Sequence, residues 1–317
     1  MPRIYVGNGI STAINWLLAH LSGLFDAIAT VTSHLVNWVG GALSLPVWAM
    51  IVIFAIWAFL ASGPGLAVFT VLAFLLIDSM RLWTQTMQTL GVVVVAALIA
   101  TLIATLIGVP LGVWAARRPL VGTITRPVLD FMQTLPVFVY LIPAVFFFGI
   151  GAVPGVVATM IFAIPPAVRL TELGIRQVDR ETVEAAEAFG STPSQILRQV
   201  QLPLALPSIM AGINQVIMLA LSMVVVAGLV GAAGLGSTVV RSVTQLDVAG
   251  GFEGGIAVVI LAIYLDRLTA ALAAPRRRAP TRLRPETAPP VSNSPQSATP
   301  AMAAVASQPA AQPTASK

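Results

Sequence analysis

Residues Glu184–Pro203 read EAAEAFGSTPSQILRQVQLP, a polar, helix-forming insert between long apolar segments. Asp179 is a favourable N-cap for a first short helix, because its side chain accepts hydrogen bonds from backbone N–H groups of the first turn. Gly190 is suited to end that helix, since glycine readily adopts the left-handed conformation found after many helix C-termini. A polar island of this kind predicts a surface that docks another protein.

A second short helix is predicted to begin at once. Thr192 is its expected N-cap, Pro193 suits the first helical position, where no N–H is needed, and Gln195 lies where a capping box requires it. Leu202 and Pro203 are expected to end this helix, because proline disrupts a helix interior. The insert is therefore predicted to consist of two short helices with a tight connection.

The composition is that of an integral membrane protein. Hydrophobic residues make up 57% of the 317 residues and charged residues only 9%, whereas about a quarter of the residues in soluble domains are charged. The mean hydropathy is +0.91 and the pI is near 10.7. This basic pI does not indicate nucleic-acid binding, because arginine dominates the positive charge and lies beside apolar spans, where it acts as a topology signal. The absence of cysteine excludes disulfides, thiolate metal sites and cysteine nucleophiles.

Seven apolar segments approach the roughly 20 residues that a membrane-spanning helix needs, so the predicted fold class is all-α. The first two are separated only by a Pro/Gly turn at residues 62–65, which predicts a peripheral transmembrane hairpin over residues 42–80. The others form a predicted core over residues 81–272, with a cytoplasmic docking loop at residues 169–205. The seven predicted spans cover residues 42–61, 63–80, 88–116, 134–149, 154–168, 206–231 and 253–272.

Arginines lie in three clusters between or after these spans, and the positive-inside rule places all three clusters in the cytoplasm. Seven crossings then place the amino terminus outside and the carboxyl terminus in the cytoplasm. If residues 42–80 cross only once, the amino terminus is cytoplasmic instead. The clusters comprise Arg117, Arg118 and Arg126, then Arg169, Arg176, Arg180 and Arg198, and finally Arg276, Arg277, Arg278, Arg282 and Arg284.

The two ends of the chain differ from the core. Within residues 1–41, apolar residues recur at helical spacing beside polar ones, which predicts an amphipathic helix. This helix lies either in the membrane interface or on the protein's own outer surface. Residues 273–317 are rich in Pro, Ala, Ser, Thr and Gln, which predicts a disordered, basic cytoplasmic tail. Its first part, RRRAPTRLR, is either a stop-transfer cluster or a site for anionic lipid headgroups.

The chain lacks the residues that energise transport. The predicted spans over residues 88–116, 134–168 and 206–231 carry no ionisable residue away from helix ends, and Asp78 and Asp266 lie near predicted interfaces, which argues against an ion-coupled transporter. Lys317 is the only lysine, so no Gly-rich phosphate-binding loop with its lysine exists. His20 and His34 have no Cys, His or carboxylate companions at ligand spacing, and no catalytic constellation is evident. An energised transporter therefore needs a separate ATPase chain, which we expect to dock on the polar insert.

The insert resembles a known cytoplasmic loop. Its pattern of Glu-Ala-Ala, three residues and Gly, followed by a hydrophobic residue, one residue and Leu-Pro, resembles the loop by which ABC importer permeases engage their ATPase subunits. Four longer runs resemble the permease subunit of glycine betaine/proline ABC importers, closely over residues 88–272 and loosely over residues 10–87. These runs are MQTLPVFVYLIP (132–143), FGIGAVPGVVATMIFAIPPAVRLTELGIRQV (148–178), VQLPLALPSIMAGINQVIMLALSMVVVAG (200–228) and ILAIYLDRLT (260–269).

This resemblance implies a binding-protein-dependent ABC importer permease fold in the bacterial inner membrane. It also implies a homodimer with a second permease copy, an ATPase subunit inside and a substrate-binding protein outside. ATP and magnesium then belong to the ATPase, and this chain is a non-enzymatic transport subunit that carries no cofactor or metal and contacts membrane lipids but no nucleic acid. The residues that match the coupling motif are Glu184, Ala185, Ala186, Gly190, Leu202 and Pro203.

The sequence departs from the family pattern in one loop. In GAAGLG at residues 231–236, Ala233 stands where related sequences commonly carry another glycine. Because alanine has less conformational freedom than glycine, we expect it to stiffen a hinge on the outer side of the membrane.

Four residues are candidates for the translocation pathway of the implied cargo, glycine betaine, proline or a related compatible solute. Aromatic faces attract a quaternary ammonium group, which favours Phe138 and Tyr140, while Asn214 and Gln215 are polar candidates in the next core span. Alternatively, the aromatic rings pack against lipid or neighbouring helices, and the amides bond between helices. Choline and carnitine are alternative cargoes. An osmotically gated channel is an alternative mechanism, although a channel has no evident need for a docking insert.

Overall fold

The computed structural model describes residues 6–273, without the side chains of residues 6–8, 10, 13, 221, 224, 272 and 273. The predicted tail therefore lies, from residue 274 onward, outside the described residues. All the named elements of the described part are helices, as predicted for the fold class. Its α-helices are α1 Val6–Ala42, α2 Val47–Ser62, α3 Pro64–Ser79, α4 Trp83–Ile103, α5 Val109–Arg117, α6 Pro119–Thr134, α7 Val137–Phe148, α8 Ala152–Arg176, α9 Arg180–Ala188, α10 Pro193–Gln195, α11 Leu202–Ala227, α12 Leu235–Gln245 and α13 Val248–Ala273.

Five helices within residues 6–273 are long and apolar enough to cross a membrane, or up to six if α6 and α7 form one broken span. Two of these five contain the predicted spans 88–116 and 154–168, and two others cover the predicted spans 206–231 and 253–272 to within one residue. The fifth is the run Ile14–Ala42 within α1. Helices α2 and α3 are apolar but have only 16 residues each, which corresponds to about 24 Å of length. They are therefore shorter than the roughly 30 Å hydrocarbon layer of a typical bilayer.

The amino-terminal helix α1 is continuous but kinked at Leu21, where φ is −121° and ψ is 17°. It contacts α4, α7 and α8. The rings of Phe25 and Phe147 stack with their centroids 4.4 Å apart, which fixes α1 against α7. The helical prediction for this segment is thus confirmed, and its position relative to the membrane stays a prediction.

The hairpin of α2 and α3 turns at Gly63, whose φ of +87° favours glycine. Its contact with the core is aromatic: the ring centroids of Phe54, Phe74 and Tyr264 lie 5.1 to 5.6 Å from one another. Tyr264 belongs to α13 and is buried. The hairpin over residues 42–80 therefore packs as a unit against the last long helix.

Helices α8 and α11 form the centre of the fold and share its most extensive contact. Small residues allow the close approach. A Cβ on Gly174 of α8 would lie 2.6 Å from the Ser208 Cβ of α11, and one on Gly212 would lie 3.1 Å from the Leu170 Cβ. Small residues at helix contacts are typical of membrane proteins, where packing rather than the hydrophobic effect brings helices together.

The predicted helix end at Leu202 and Pro203 is wrong. The helical run continues from Pro193 to Val230, with a π turn at Ile196–Gln201 immediately before Leu202. In this wider turn the Leu202 N–H donates to the Leu197 carbonyl, five residues back. Pro203 has no N–H that needs an acceptor, and the widened turn accommodates its ring without breaking the helix.

The expectation that the first arginine cluster lies in a loop between the first and second core spans is also wrong. Residues 119–134 form the amphipathic helix α6, which is bent by 87° from α7. One face of α6 carries Arg126 and Asp130, which form ion pairs with α8. The opposite face exposes Leu120, Ile124, Val128 and Phe131. The apolar span predicted at residues 134–149 therefore begins after this bend, at Val137.

Candidate functional site

The first helix of the insert has the ends that the sequence predicts. The Asp179 side chain accepts a hydrogen bond from the Glu181 N–H at 3.1 Å. At the other end, Gly190 has a φ of +79°. Its N–H donates to the Glu187 carbonyl at 2.9 Å, and the Ser191 N–H donates to the Ala186 carbonyl at 3.1 Å. This pair of bonds is a Schellman motif, which satisfies carbonyls at the helix end and reverses the chain.

The second helix begins with a complete capping box. The Thr192 N–H donates to Gln195 Oε1 at 2.8 Å, and the Gln195 N–H donates to Thr192 Oγ1 at 3.4 Å. Pro193 occupies the first helical position. Two backbone donors that have no partner within a helix are thereby satisfied, so both ends of the short connection at residues 189–192 are fixed.

The coupling-motif residues divide into two groups. Glu184, Ala185 and Ala186 lie on α9, which buries none of its residues, and Gly190 ends it. Glu184 accepts a hydrogen bond from Arg180 Nε at 2.8 Å on the exposed surface. The remaining two members of the motif, Leu202 and Pro203, lie in the first turn of α11. There Leu202 packs against the buried cluster of Ile175, Ala205 and Ile209, and Pro203 is exposed.

Phe189 is a surface residue of the insert that the sequence reasoning passed over. Its side chain is 92% exposed at the tip of the insert, immediately before Gly190. Exposed aromatic residues are favoured anchors of protein interfaces. The available signal was a large apolar residue inside a polar segment, next to the glycine that ends the helix. Phe189 and the exposed face of α9 together define what we call the docking surface, residues 180–190.

A buried carboxylate lies near the end of α8, the helix that precedes the docking surface in the chain. Glu172 of α8 has a side chain only 5% exposed, and its Oε1 lies 2.8 Å from Arg126 Nη2 and 3.0 Å from Arg176 Nε. Arg126 comes from α6, whereas Arg176 lies one turn further along α8. A buried carboxylate needs such partners, because an unpaired buried charge is strongly destabilising. In the sequence these arginines were interpreted only as topology signals, and Glu172 was not predicted as a site residue.

Two further arginine contacts join the end of α5 to α8 and to the insert. Arg176 Nη2 donates to the Ala115 carbonyl in the last turn of α5 at 3.1 Å. Arg117 Nη2 donates to the Pro193 carbonyl, at the start of the second insert helix, also at 3.1 Å. A groove of about 400 Å³ lies between the insert and the core, lined in part by Arg117, Arg176, Arg180 and Glu187.

The pathway candidates lie on two helices. Phe138 and Tyr140 belong to α7; Phe138 is exposed, and the Tyr140 O–H donates to the Met132 carbonyl across the α6–α7 bend at 2.6 Å. The Tyr140 ring also meets the Phe162 ring of α8 edge-on, at 6.4 Å between centroids. Tyr140 is therefore held by α6 and α8. This agrees with the alternative prediction that the aromatic rings pack against neighbouring helices.

The two amide candidates occupy consecutive positions on α11. Gln215 is exposed, whereas Asn214 Oδ1 is buried without a hydrogen-bond partner among the described residues. No hydrogen bond between described side chains joins either amide to Tyr140. The structure thus places these four residues in two groups, and their role in a pathway stays a prediction.

The loop at residues 231–236 is held by hydrogen bonds at both of its ends. Gly231 and Gly234 have φ values of +87° and +124°. The Gly151 N–H donates to the Val230 carbonyl at 3.0 Å, and the Leu235 N–H donates to Thr89 Oγ1 at 2.7 Å. Ala233 lies exposed between the two glycines. Its stiffening effect on this loop stays a prediction.

Comparisons with known proteins agree with this architecture. Residues 108–278 match the family model of the binding-protein-dependent transport system inner membrane component. The glycine betaine transport system permease protein OpuAB of Bacillus subtilis (strain 168) is 49% identical over 87% of this chain and 97% of its own length. The glycine betaine/proline betaine transport system permease protein ProW of Escherichia coli (strain K12) is 45% identical over 86% of this chain and 76% of its own.

A solved structure supports the fold alone. An inward-facing crystal form of the MetNI methionine ABC transporter contains a chain that superposes with a TM-score of 0.51 at 22% sequence identity. The superposition covers 61% of this chain and 94% of that chain.

Proposed function

Because this chain belongs to the family of binding-protein-dependent transport system inner membrane components, we propose that it forms the membrane pathway of an ATP-driven importer for glycine betaine or a related quaternary-ammonium solute. Members of this family are permease subunits. The chain is accordingly a multi-pass inner-membrane protein without enzymatic activity of its own, and it works with an ATP-binding subunit and a substrate-binding protein.

One observation carries the proposed cargo. OpuAB and ProW are 49% and 45% identical to this chain over most of its length, and the names of both include glycine betaine. Glycine betaine combines a quaternary ammonium with a carboxylate and has no net charge. Core helices without ionisable residues at their centres suit such a solute, because they present it with no fixed charge. Proline, choline and carnitine are the alternative cargoes.

The arrangement of partners is part of the proposal. ATP and magnesium bind to the ATPase subunit, which contacts the docking surface at residues 180–190 from the cytoplasm. A second copy of this chain completes the pathway. The amino terminus lies outside and the carboxyl terminus inside, as the arginine clusters favour.

The coupling role of the insert follows from its shape. The capping box and the Schellman motif give α9 and the following turn one fixed geometry. Ala185 is exposed and small, which allows a partner to approach the helix closely, and Glu184 offers a carboxylate for charged hydrogen bonds. A fixed surface of this kind suits an ATPase subunit that must transmit its movement to the membrane core.

The test is uptake by the reconstituted complex. The full chain is placed in proteoliposomes with its ATPase, and uptake of radiolabelled glycine betaine is measured with the loaded binding protein outside and ATP inside. A matched sample carries an ATPase whose phosphate-loop lysine is replaced by alanine. We expect uptake only with the active ATPase. Unlabelled proline, choline and carnitine, each in excess, are added as competitors.

Each result discriminates between the alternatives. Uptake that the inactive ATPase abolishes supports the importer, and competition identifies the preferred cargo. Transport of choline or carnitine without glycine betaine retains the importer and rejects the cargo. Solute flux that is equal with the inactive ATPase rejects the importer in favour of a channel.

A further inference from the structure

Glu172 lies at the meeting point of three elements, α5, α6 and α8. Its carboxylate contacts Arg126 of α6 and Arg176 of its own helix, α8, and Arg176 in turn donates to the Ala115 carbonyl of α5. Gly122 of α6 brings that helix close, since a Cβ there would lie 3.3 Å from Glu172 Oε1 and 3.2 Å from Arg176 Nη2. One buried negative charge is thus shared by two guanidinium groups.

These contacts continue toward the docking surface. Two residues after Ala115, Arg117 at the end of α5 donates to the Pro193 carbonyl. Pro193 begins the helix that follows the Gly190 turn. The insert is therefore hydrogen-bonded to the end of α5, and α5 is in turn hydrogen-bonded to Arg176.

The contacts also continue in the opposite direction, toward α7. Arg126 holds the middle of α6 on α8, and a second ion pair joins Asp130 of α6 to Arg169 of α8. Two residues beyond Asp130, the Met132 carbonyl accepts the Tyr140 O–H across the 87° bend. The ion pairs on α6 thus lie immediately before the bend that orients α7.

We propose that Glu172 is a positioning residue that couples the docking insert to α7 through Arg126 and α6. This inference rests on the proposed function and adds to it the residues through which the ATPase moves the membrane pathway. Its physical basis is the low exposure of the carboxylate: the pair with Arg126 is partly withdrawn from water, so α6 and α8 move together rather than separately.

The test separates coupling from assembly. Glu172→Gln, which keeps the size of the side chain and removes its charge, is compared with the parent chain in the reconstituted complex. Three quantities are measured: retention of the ATPase on the purified chain, ATP hydrolysis with loaded binding protein, and solute taken up per ATP hydrolysed. We expect the ATPase to be retained and uptake per ATP to fall about fivefold, the size of effect that residues on a coupling network produce.

Two further variants make the test independent of the folding of Glu172→Gln. Arg126→Gln removes the other member of the ion pair. Because the Arg126 side chain is 56% exposed, the fold tolerates this change better than a change at Glu172. Tyr140→Phe removes only the O–H at the far end of the chain of contacts. Both are expected to lower uptake per ATP, and the double variant of Glu172 and Arg126 is expected to be no worse than the worse single one, because both act through one contact. Glu253→Gln, an exposed carboxylate on α13, is the matched control.

The outcomes are distinct. Unchanged uptake per ATP in Arg126→Gln and Tyr140→Phe overturns the proposal, as does additive loss in the double variant. A loss of uptake per ATP that is equal in Glu253→Gln overturns it as well. If the parent complex itself shows no ATP-dependent uptake, the proposed function fails, and that failure is visible before any variant is compared.

Discussion

Gly155 of α8 lies against Ala227 of α11 so closely that a Cβ placed on Gly155 would be 2.2 Å from the Ala227 Cβ. Glycine at this position is therefore what allows the two central helices to meet. The contact lies at the end of α11 that leads into the loop at residues 231–236, where Gly228 has a similar role: a Cβ there would lie 2.3 Å from the Gly236 carbonyl carbon. The packing of α8 on α11 thus also positions the loop at residues 231–236.

Gly155→Ala is expected to lower the stability of the chain. Overpacking of this kind costs about 1–3 kcal/mol, because helices must separate to admit the new methyl group. The measurement is thermal unfolding of the purified chain in detergent, followed by tryptophan fluorescence.

Two variants control the experiment. Gly255→Ala of α13 meets no atom within 4 Å and is expected to leave the unfolding temperature unchanged or slightly raised. Ala227→Gly in the Gly155→Ala background removes the opposing methyl group and is expected to restore stability. Equal stability of Gly155→Ala and the parent chain would contradict this account of the contact.

Thr89→Val is expected to destabilise the start of α12. Thr89 Oγ1 accepts the buried N–H of Leu235 at 2.7 Å, and its hydroxyl donates to the Gln85 carbonyl at 2.8 Å. Valine has nearly the same shape but leaves the Leu235 N–H without a partner, which costs about 1–3 kcal/mol. Thr89→Ser retains the hydroxyl and is the control. Thermal unfolding decides: a valine variant as stable as the serine variant would show that this hydrogen bond contributes nothing.

Sequence reasoning succeeded where structure depends on neighbouring residues. The caps at Asp179, Gly190 and Thr192 are formed by side chains and backbone within a few positions, so their residue types were sufficient. The apolar helices of the core followed from hydrophobicity alone. The turn between α2 and α3 was likewise predicted from its own Gly63 and Pro64.

The errors arose where partners lie far away in the sequence. Residues 119–134 lie between two predicted apolar spans and were expected to form a loop, whereas the partners that hold them as helix α6 lie 46 residues from Arg126 and 39 residues from Asp130. The helix continues through Pro203 because a π turn precedes it and Leu202 packs on Ile175 of α8. Glu172 was missed for the same reason, since its partner Arg126 lies on another helix. Local propensity contains no information about such contacts.

Gly190→Ala is expected to loosen the end of α9. The φ of +79° disfavours residues with a Cβ by about 1–2 kcal/mol, and no atom lies within 4 Å to add a steric effect. Hydrogen exchange of the full chain in nanodiscs is the measurement, and the Ser191 N–H, which donates to the Ala186 carbonyl, is expected to exchange faster.

Asparagine tests the cause of this effect, because it tolerates the left-handed conformation better than alanine. Gly190→Asn is therefore expected to exchange more slowly than Gly190→Ala. Exchange that is equally fast in both variants, or unchanged in both, would show that the backbone conformation of Gly190 does not control this helix end.

Phe189→Ala is expected to weaken binding of the ATPase subunit. A side chain that is 92% exposed gives the isolated chain little stability, so its loss is expected to appear only when a partner buries it. Removal of an interface anchor costs about 2 kcal/mol, or roughly 30-fold in affinity. Affinity is measured with the chain in nanodiscs. The control, Leu246→Ala, removes an 87% exposed apolar side chain at the end of α12 and is expected to leave affinity unchanged. Equal affinities of Phe189→Ala and the parent would exclude Phe189 as an anchor.

Phe138→Leu is expected to slow uptake of a quaternary-ammonium solute. If the exposed Phe138 ring contacts the cargo in the pathway, its loss removes a cation–π interaction and lowers the uptake rate about 2- to 5-fold at saturating binding protein. Phe138→Tyr keeps an aromatic face and is expected to retain the parent rate. Ile142→Ala changes an exposed apolar residue on the same helix and controls for packing. A rate that falls equally in Phe138→Tyr and Ile142→Ala would assign Phe138 to packing, because the loss would then not depend on the aromatic face.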